Sequence, residues 1–330
     1  MTARPHLAIV LVIAGAGLTT VSGQQTPFRS SVDIVELNVA VSSGKKVVAD
    51  LTARDFEVTD NRVKQEVLSV SRETEPIDVT MVIDTSESVT ETLAQAIVTA
   101  ANRIRTRLRP DDRVSLLTFN QRIQERVALL PPPAVRAIDL GRLIGQTSLN
   151  DALATVLAQR PITGRRQMAL VFTDGYDSSS FLSDDEVIEV AGRSNTAVFV
   201  VAKGYDTGST AGSGRATTAT SSITIAPLLG DRVRQPAEFF HRIADATGGL
   251  AQIVSPFKVI ADTPTQMEAR ANNTLLDDAF LRAFEDFRSS YVVRYSLSGV
   301  PRAGWHDLTV KVIKPGKSYQ VRARTGYMGG

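Results

Sequence analysis

The chain of 330 residues contains no cysteine, and its histidines are His6, His241 and His306. Without cysteine it has no disulfides, no thiolate metal sites and no cysteine nucleophile. Three scattered histidines leave little material for a zinc site or a catalytic triad. An excess of charge of one sign is also missing, because 37 basic residues face 35 acidic ones and the formal net charge is +2. We therefore expect no general attraction to nucleic acid.

Glycine-rich phosphate loops are absent as well, since neither GxxxxGK[ST] nor GxGxxG occurs in the sequence. What the chain does have is 43% hydrophobic and 22% charged residues, a composition typical of globular proteins. Its length is that of about two ordinary domains, which is enough for a sizeable core.

Long apolar runs are missing, and the longest candidate lies at the start of the chain. Arg4 precedes the apolar run Leu7–Leu18, and small residues follow up to Gly23. The run is about a dozen residues, short of the roughly 20 that span a bilayer, which disfavours the alternative of a membrane anchor. The pattern predicts a signal peptide over residues 1–23. We therefore expect an exported protein, periplasmic or extracellular, that meets the membrane only during targeting.

After residue 23 the apolar pattern divides the chain into three regions. Residues 24–73 are β-rich, with Val35, Leu37 and Val39 alternating with polar neighbours. Residues 74–287 alternate strand and helix patterns, and residues 288–330 return to β patterns. Within the middle region, residues 207–224 are rich in Gly, Ser, Thr and Ala and predict a flexible insertion.

The middle region predicts an α/β fold. Ile77–Ile83 is almost continuously apolar, as in a strand buried on both faces. Strand patterns alternate with helical ones, which indicates a doubly wound, mostly parallel sheet flanked by helices. We expect segments 24–73 and 288–330 to pair in a β-sandwich-like region, with the α/β domain inserted between them. Two separate small β units are the alternative.

Oxygen-bearing side chains follow the predicted strands of the α/β region. Asp84, Ser86 and Ser88 come at the end of the buried strand, Thr147 precedes a helix, and Asp174 follows another strand. Ligands of open α/β sheets bind at the carboxyl ends of strands. Carboxylates and hydroxyls form an oxygen-only site that suits Mg²⁺ or Mn²⁺. Each fragment alone also fits a helix cap or an ordinary turn, and it is their combination that favours a metal site.

These residues resemble the metal-ion-dependent adhesion site (MIDAS) of von Willebrand factor type A (VWA) domains: Asp84-x-Ser86-x-Ser88, Thr147 and Thr173-Asp174-Gly175. The resemblance implies a VWA-like domain over residues 74–287. It also implies that Ser86 and Ser88 bind the metal directly, and that Asp84, Thr147 and Asp174 bind directly or through water. An outside Asp or Glu from a protein partner would complete the coordination. Some VWA-like domains shift their last helix on ligation, and the helix predicted at Gln266–Phe287 corresponds to it.

A second resemblance covers nearly all of the chain after residue 23. The segments Val32–Val35, Leu51–Val58 and Arg322–Tyr327 are similar to the exported VWFA-related family known mostly from Acidobacteria. That family is poorly understood functionally, so the likeness bears on architecture more than on role.

The sequence thus predicts an exported, metal-dependent protein-binding module. The alternative is a structural component of the cell envelope whose VWA-like domain acts only in packing or oligomerisation. An enzyme is disfavoured, because Asp84, Glu87 and Asp174 could form a hydrolytic carboxylate set but no nucleophile–base pair accompanies them.

Overall fold

The computed structural model describes residues 33–174, 177–203, 236–254 and 266–330. The predicted signal peptide (1–23) and flexible insertion (207–224) lie outside these ranges. Among the described residues, no helix combines the length and the apolar character needed to span a membrane.

Strands and helices alternate over most of the described chain. The strands are β1 (Ile34–Ser43), β2 (Lys46–Val47), β3 (Phe56–Asp60), β4 (Val63–Arg72), β5 (Ile77–Asp84), β6 (Arg113–Phe119), β7 (Ile123–Leu130), β8 (Arg166–Thr173), β9 (Ala197–Lys203), β10 (Leu250–Val254), β11 (Tyr291–Ser296), β12 (Gly304–Val312), β13 (Gln320–Arg322) and β14 (Gly326–Gly329). The helices are α1 (Glu91–Arg107), α2 (Leu149–Leu157), α3 (Asp184–Arg193), α4 (Pro236–Thr247) and α5 (Gln266–Ser289).

The first of two sheets has six strands in the order β10-β9-β8-β5-β6-β7. All neighbours are parallel except β6 and β7. Helices α1 and α5 pack on one face of this sheet, and α2, α3 and α4 pack on the other. The central strands β5 and β8 are therefore buried along their whole length. The predicted doubly wound α/β fold is confirmed.

Strand β7 was not predicted from the sequence. It pairs antiparallel with β6 at the edge of the sheet, through a ladder that is twice irregular. None of its residues is buried, and the polar run Gln124–Arg126 interrupts its apolar residues. An edge strand has a partner on one side only. A period-2 apolar signal is accordingly weak in this segment.

The second sheet is antiparallel and joins both ends of the described chain. Its order is β13-β1-β11-β4-β3-β12-β14, with β2 paired to β1. Leu37 of β1 faces Val293 of β11, and Val58 of β3 faces Val310 of β12. The expected sandwich-like region is thus one continuous sheet that curls around its own core, which includes Leu37, Val58 and Tyr295.

Candidate metal centre

The predicted metal-binding carboxylates lie at the carboxyl edge of the parallel sheet. Asp84 is the last residue of β5, and Asp174 follows Thr173, the last residue of β8. Strands β5 and β8 are adjacent and parallel, with Ile83 opposite Phe172. Parallel neighbours end at the same edge of a sheet, so the topology brings the two carboxylates together.

Hydrogen bonds connect four of the five predicted metal ligands. Asp84 Oδ1 accepts from the Ser86 backbone N–H at 2.9 Å, and Asp84 Oδ2 accepts from Thr173 Oγ1 at 2.8 Å. The Ser86 and Ser88 hydroxyl oxygens are 3.0 Å apart. Ser88 Oγ in turn donates to Asp174 Oδ1 at 2.8 Å. Two carboxylates and two serine hydroxyls therefore form one compact, continuous network.

Thr147, the fifth predicted ligand, is held beside this network by its backbone. Its carbonyl accepts from the N–H groups of Ser178 and Ser179 at 2.8 and 3.1 Å, and its own N–H donates to Ser178 Oγ at 3.0 Å. These bonds join Thr147 to the loop that follows Asp174. Among the described contacts, none links the Thr147 hydroxyl to the other four residues, so its role as a ligand stays a prediction.

The segment before Thr147 contacts the Asp84–Ser88 loop as well. The Glu87 N–H donates to the Gly145 carbonyl at 3.0 Å, and the Ile144 N–H donates to the Thr85 carbonyl at 2.9 Å. Gly145 has φ +84°, and a Cβ there would lie 1.6 Å from Gln121 Oε1. The positive φ favours glycine at this position, and any larger residue would also displace the end of the Gln121 side chain.

Both carboxyl groups of the site are buried, since Asp84 is 0% and Asp174 3% exposed. Burial raises the pKa of Asp84 to about 6, and the nearby charge of Asp174 acts in the same direction. Hydrogen bonds from Ser86 and Thr173 oppose this rise. Burial also raises the pKa of Asp174. Ionising two neighbouring buried carboxylates is therefore unfavourable unless positive charge accompanies them.

The donor set fits a hard divalent cation. Carboxylate and hydroxyl oxygens are the ligands that Mg²⁺ and Mn²⁺ favour, and the positive charge would compensate the two buried carboxylates. Within the described ranges, no three His, Cys, Asp or Glu side chains are placed so that they alone could hold a metal ion, so the hydroxyls would have to contribute. Of the two described histidines, His241 is on the exposed side of α4 and His306 is buried beside Asp60.

A short loop beside the site was missed by the sequence analysis. Residues 177–182 are fastened to the start of α2 by two carboxylates. Asp177 Oδ2 accepts from the Asn150 N–H at 2.9 Å, and Asp151 accepts from the N–H groups of Phe181 and Leu182 at 3.0 and 3.1 Å. Even so, the Phe181 side chain is 97% exposed. The loop that is bonded to Thr147 and to the start of α2 thus presents an aromatic ring to solvent.

Comparisons with known proteins support the VWA-type fold of the α/β part. Residues 78–221 match the family model of the von Willebrand factor type A domain, so the α/β part of the chain contains a VWA domain. No curated protein matches the chain.

Several solved structures are similar to the chain at low sequence identity. One is a von Willebrand factor type A protein from Catenulispora acidiphila, with 12% identity, a TM-score of 0.44, and coverage of 91% of this chain and 75% of that one. Another is the SpRpn10 VWA domain, with 14% identity, a TM-score of 0.38 and coverage of 62% and 93%. A third is proximal thread matrix protein 1 of the mussel byssus, solved with a zinc-occupied MIDAS motif, at 14% identity, a TM-score of 0.41 and coverage of 69% and 49%.

Proposed function

We propose that this protein is an exported, metal-dependent protein-binding module. In this proposal Asp84, Ser86, Ser88, Thr147 and Asp174 hold Mg²⁺ or Mn²⁺, and a partner's Asp or Glu completes the coordination. The observation that carries the proposal is the hydrogen-bonded network from Asp84 through Ser86 and Ser88 to Asp174 at the edge shared by β5 and β8.

The charge of the donor set supports recognition of an acidic side chain. Two carboxylates would roughly neutralise a divalent cation, and the hydroxyls of Ser86, Ser88 and Thr147 contribute no charge of their own. Octahedral Mg²⁺ commonly keeps exchangeable waters when protein donors are few. A carboxylate from outside would replace such a water at an ion that still attracts negative charge.

The surroundings of the site support a partner with apolar side chains beside its acidic one. Phe181 is 97% exposed and Ile144 is 48% exposed, and both lie on segments that are hydrogen-bonded to the predicted ligand loops. Exposed aromatic rings on a rigid loop lose little conformational entropy on binding and are typical of interaction hot spots.

A peptide display library tests this proposal. The library carries one fixed Asp between random residues and is selected on the immobilised protein in Mg²⁺. We expect enriched peptides that are released by EDTA and that carry an apolar residue near the fixed Asp. Changing that Asp to Asn in the peptide should abolish binding, because a neutral amide is a much weaker metal ligand.

Variants of the protein complete that experiment. Asp174→Ala should lose the selected peptides, whereas the control Asp139→Ala should keep them, because Asp139 is 77% exposed and pairs with Arg126 rather than with a predicted ligand. Peptides that bind equally in EDTA and to Asp174→Ala would contradict the proposal. They would favour the alternative, a structural envelope component that uses this domain only for packing or oligomerisation.

Export and the likeness to the VWFA-related family of Acidobacteria are part of the same proposal. Both rest on sequence features, and residues 1–23 lie outside the described ranges. The proposal includes no catalytic role, because no nucleophile–base pair accompanies the carboxylates of the site and the proposed metal ligands include no histidine. Of the described histidines, His306 bonds to Asp60 and His241 is exposed on α4.

A further inference from the structure

A cavity lies at the amino-terminal edge of the parallel sheet, opposite the edge that carries the candidate metal centre. Its volume is about 250 Å³. Arg166 begins β8 and Thr173 ends it, so this cavity is about 20 Å from the candidate metal centre at 3.3 Å per strand residue. The polar and charged side chains of its lining include Glu36, Asn38, Arg165, Arg166, Asn195 and Arg324. They come from both sheets and from the loops between them.

The charge of the lining is strongly positive. Three guanidinium groups line the cavity, against the single carboxylate of Glu36. Glu36 itself pairs with Arg294, at 2.7 Å. Arg165 pairs with the buried Asp78 at 2.7 Å. Within the described ranges, no carboxylate forms an ion pair with Arg166 or Arg324.

Arg166 and Arg324 are nevertheless buried, with exposed fractions of 2% and 8%. Burial lowers the pKa of both guanidinium groups to about 10, which reflects the unfavourable removal of a cation from water. Neutral acceptors compensate part of this cost. Arg166 Nε donates to Asn38 Oδ1 at 2.9 Å and Arg324 Nε donates to the Gly326 carbonyl at 2.8 Å. Other acceptors lie at helix ends. Arg166 Nη2 donates to the Phe287 carbonyl at 2.7 Å near the end of α5, and Arg324 Nη2 donates to the Gly192 carbonyl at 3.0 Å near the end of α3.

These bonds leave donor capacity unused. Each guanidinium Nη1 carries two hydrogens. Arg166 Nη1 makes one long bond, 3.4 Å to the Arg288 carbonyl, and Arg324 Nη1 makes one bond, 2.9 Å to the Ser194 carbonyl. Each group therefore retains an N–H for which the described residues supply no acceptor. Backbone carbonyls at helix ends also offer only partial negative charge.

We propose that this cavity binds a small oxyanion of carboxylate or phosphate type. Guanidinium groups recognise both anions through charge-assisted hydrogen bonds. An anion there would supply the full negative charge that Arg166 and Arg324 lack. It would also contact elements of both sheets, so binding stabilises the folded chain.

Thermal unfolding in different salts tests this site. The protein is treated with EDTA, so that acetate cannot act through a metal, and is heated in sodium phosphate, acetate or chloride at equal ionic strength. We expect phosphate, acetate or both to raise the Tm by about 2–3 °C over chloride. A response to one of the two alone identifies the chemical class of the ligand. Equal Tm values in all three salts would overturn the proposal.

A charge change at the cavity mouth makes the test specific. Replacing Arg166 or Arg324 risks unfolding, whereas Asn195→Asp is nearly isosteric at an exposed position in the lining. Its carboxylate should weaken anion binding at least about fivefold and remove most of the Tm shift. The matched control Asn102→Asp, on α1, should respond as wild type does. An unchanged response in Asn195→Asp would also overturn the proposal.

Discussion

Replacing Asp60 by alanine is expected to lower the free energy of unfolding by about 3–5 kcal/mol, the range for breaking a buried charged contact from one side. Asp60 is 0% exposed at the end of β3. Its Oδ2 accepts from the hydroxyls of Tyr295 and Tyr327 at 2.7 and 3.2 Å, and its Oδ1 lies 2.7 Å from His306 Nδ1. One carboxylate thus connects four strands, and its loss leaves the buried Tyr295 and His306 and the half-buried Tyr327 without this partner.

Denaturant unfolding at neutral pH measures this change. Asp60→Asn keeps an acceptor oxygen and should lose less stability than Asp60→Ala. The exposed Asp50, which pairs with Lys314, supplies the control, since Asp50→Ala should leave stability nearly unchanged. A loss below about 1 kcal/mol in Asp60→Ala would mean that the curled sheet does not depend on this network.

The second large effect is a pH dependence of the metal-free protein. The pKa of Asp84 is raised from 3.8 in the unfolded chain to about 6 in the folded one. The folded state therefore binds this proton more tightly, and stability falls as pH rises between about 4 and 6. The shift corresponds to at most about 3 kcal/mol. Asp174 contributes in the same direction, because burial raises its pKa as well.

Comparison with Asp84→Asn isolates this effect from the other titrating groups. In EDTA, the difference in unfolding free energy between wild type and Asp84→Asn should become less favourable to wild type from pH 4 to pH 7. Adding Mg²⁺ at pH 7 should stabilise wild type and leave Asp84→Asn nearly unchanged. A difference that does not vary with pH would show that Asp84 is not held in the environment described here.

The sequence predicts most of the α/β part because its signals are local. The apolar run Ile77–Ile83 and the helical spacing of Leu93 to Ile104 each lie within one element, and the structure places strand β5 and helix α1 there. The edge strand β7 could not be predicted in the same way, because the polar run Gln124–Arg126 breaks its alternation of apolar and polar residues. The curl of the antiparallel sheet is also hidden, since it depends on pairings such as Leu37 with Val293.

In the candidate site, too, the residues joined by local signals could be predicted and those joined by distant contacts could not. Asp84, Ser86 and Ser88 lie within five residues, and strand order alone brings Asp174 to them. The loop that exposes Phe181 could not be predicted, because its shape follows from bonds between Asp151, Asp177 and backbone groups about 30 residues away. Asp60 was missed for a similar reason, as its partners are 235 to 267 residues further along the chain.

The central claim is that a divalent cation binds at the Asp84–Asp174 network, and calorimetric titration of the protein with Mg²⁺ and Mn²⁺ tests it most directly. The account predicts one saturable site in wild type and in Asp139→Ala. In Asp174→Ala the affinity should be at least about 100-fold weaker, because a charged ligand is lost where even outer-shell changes cost 10–100-fold. Absence of binding in wild type, or equal binding in Asp174→Ala, would contradict the account.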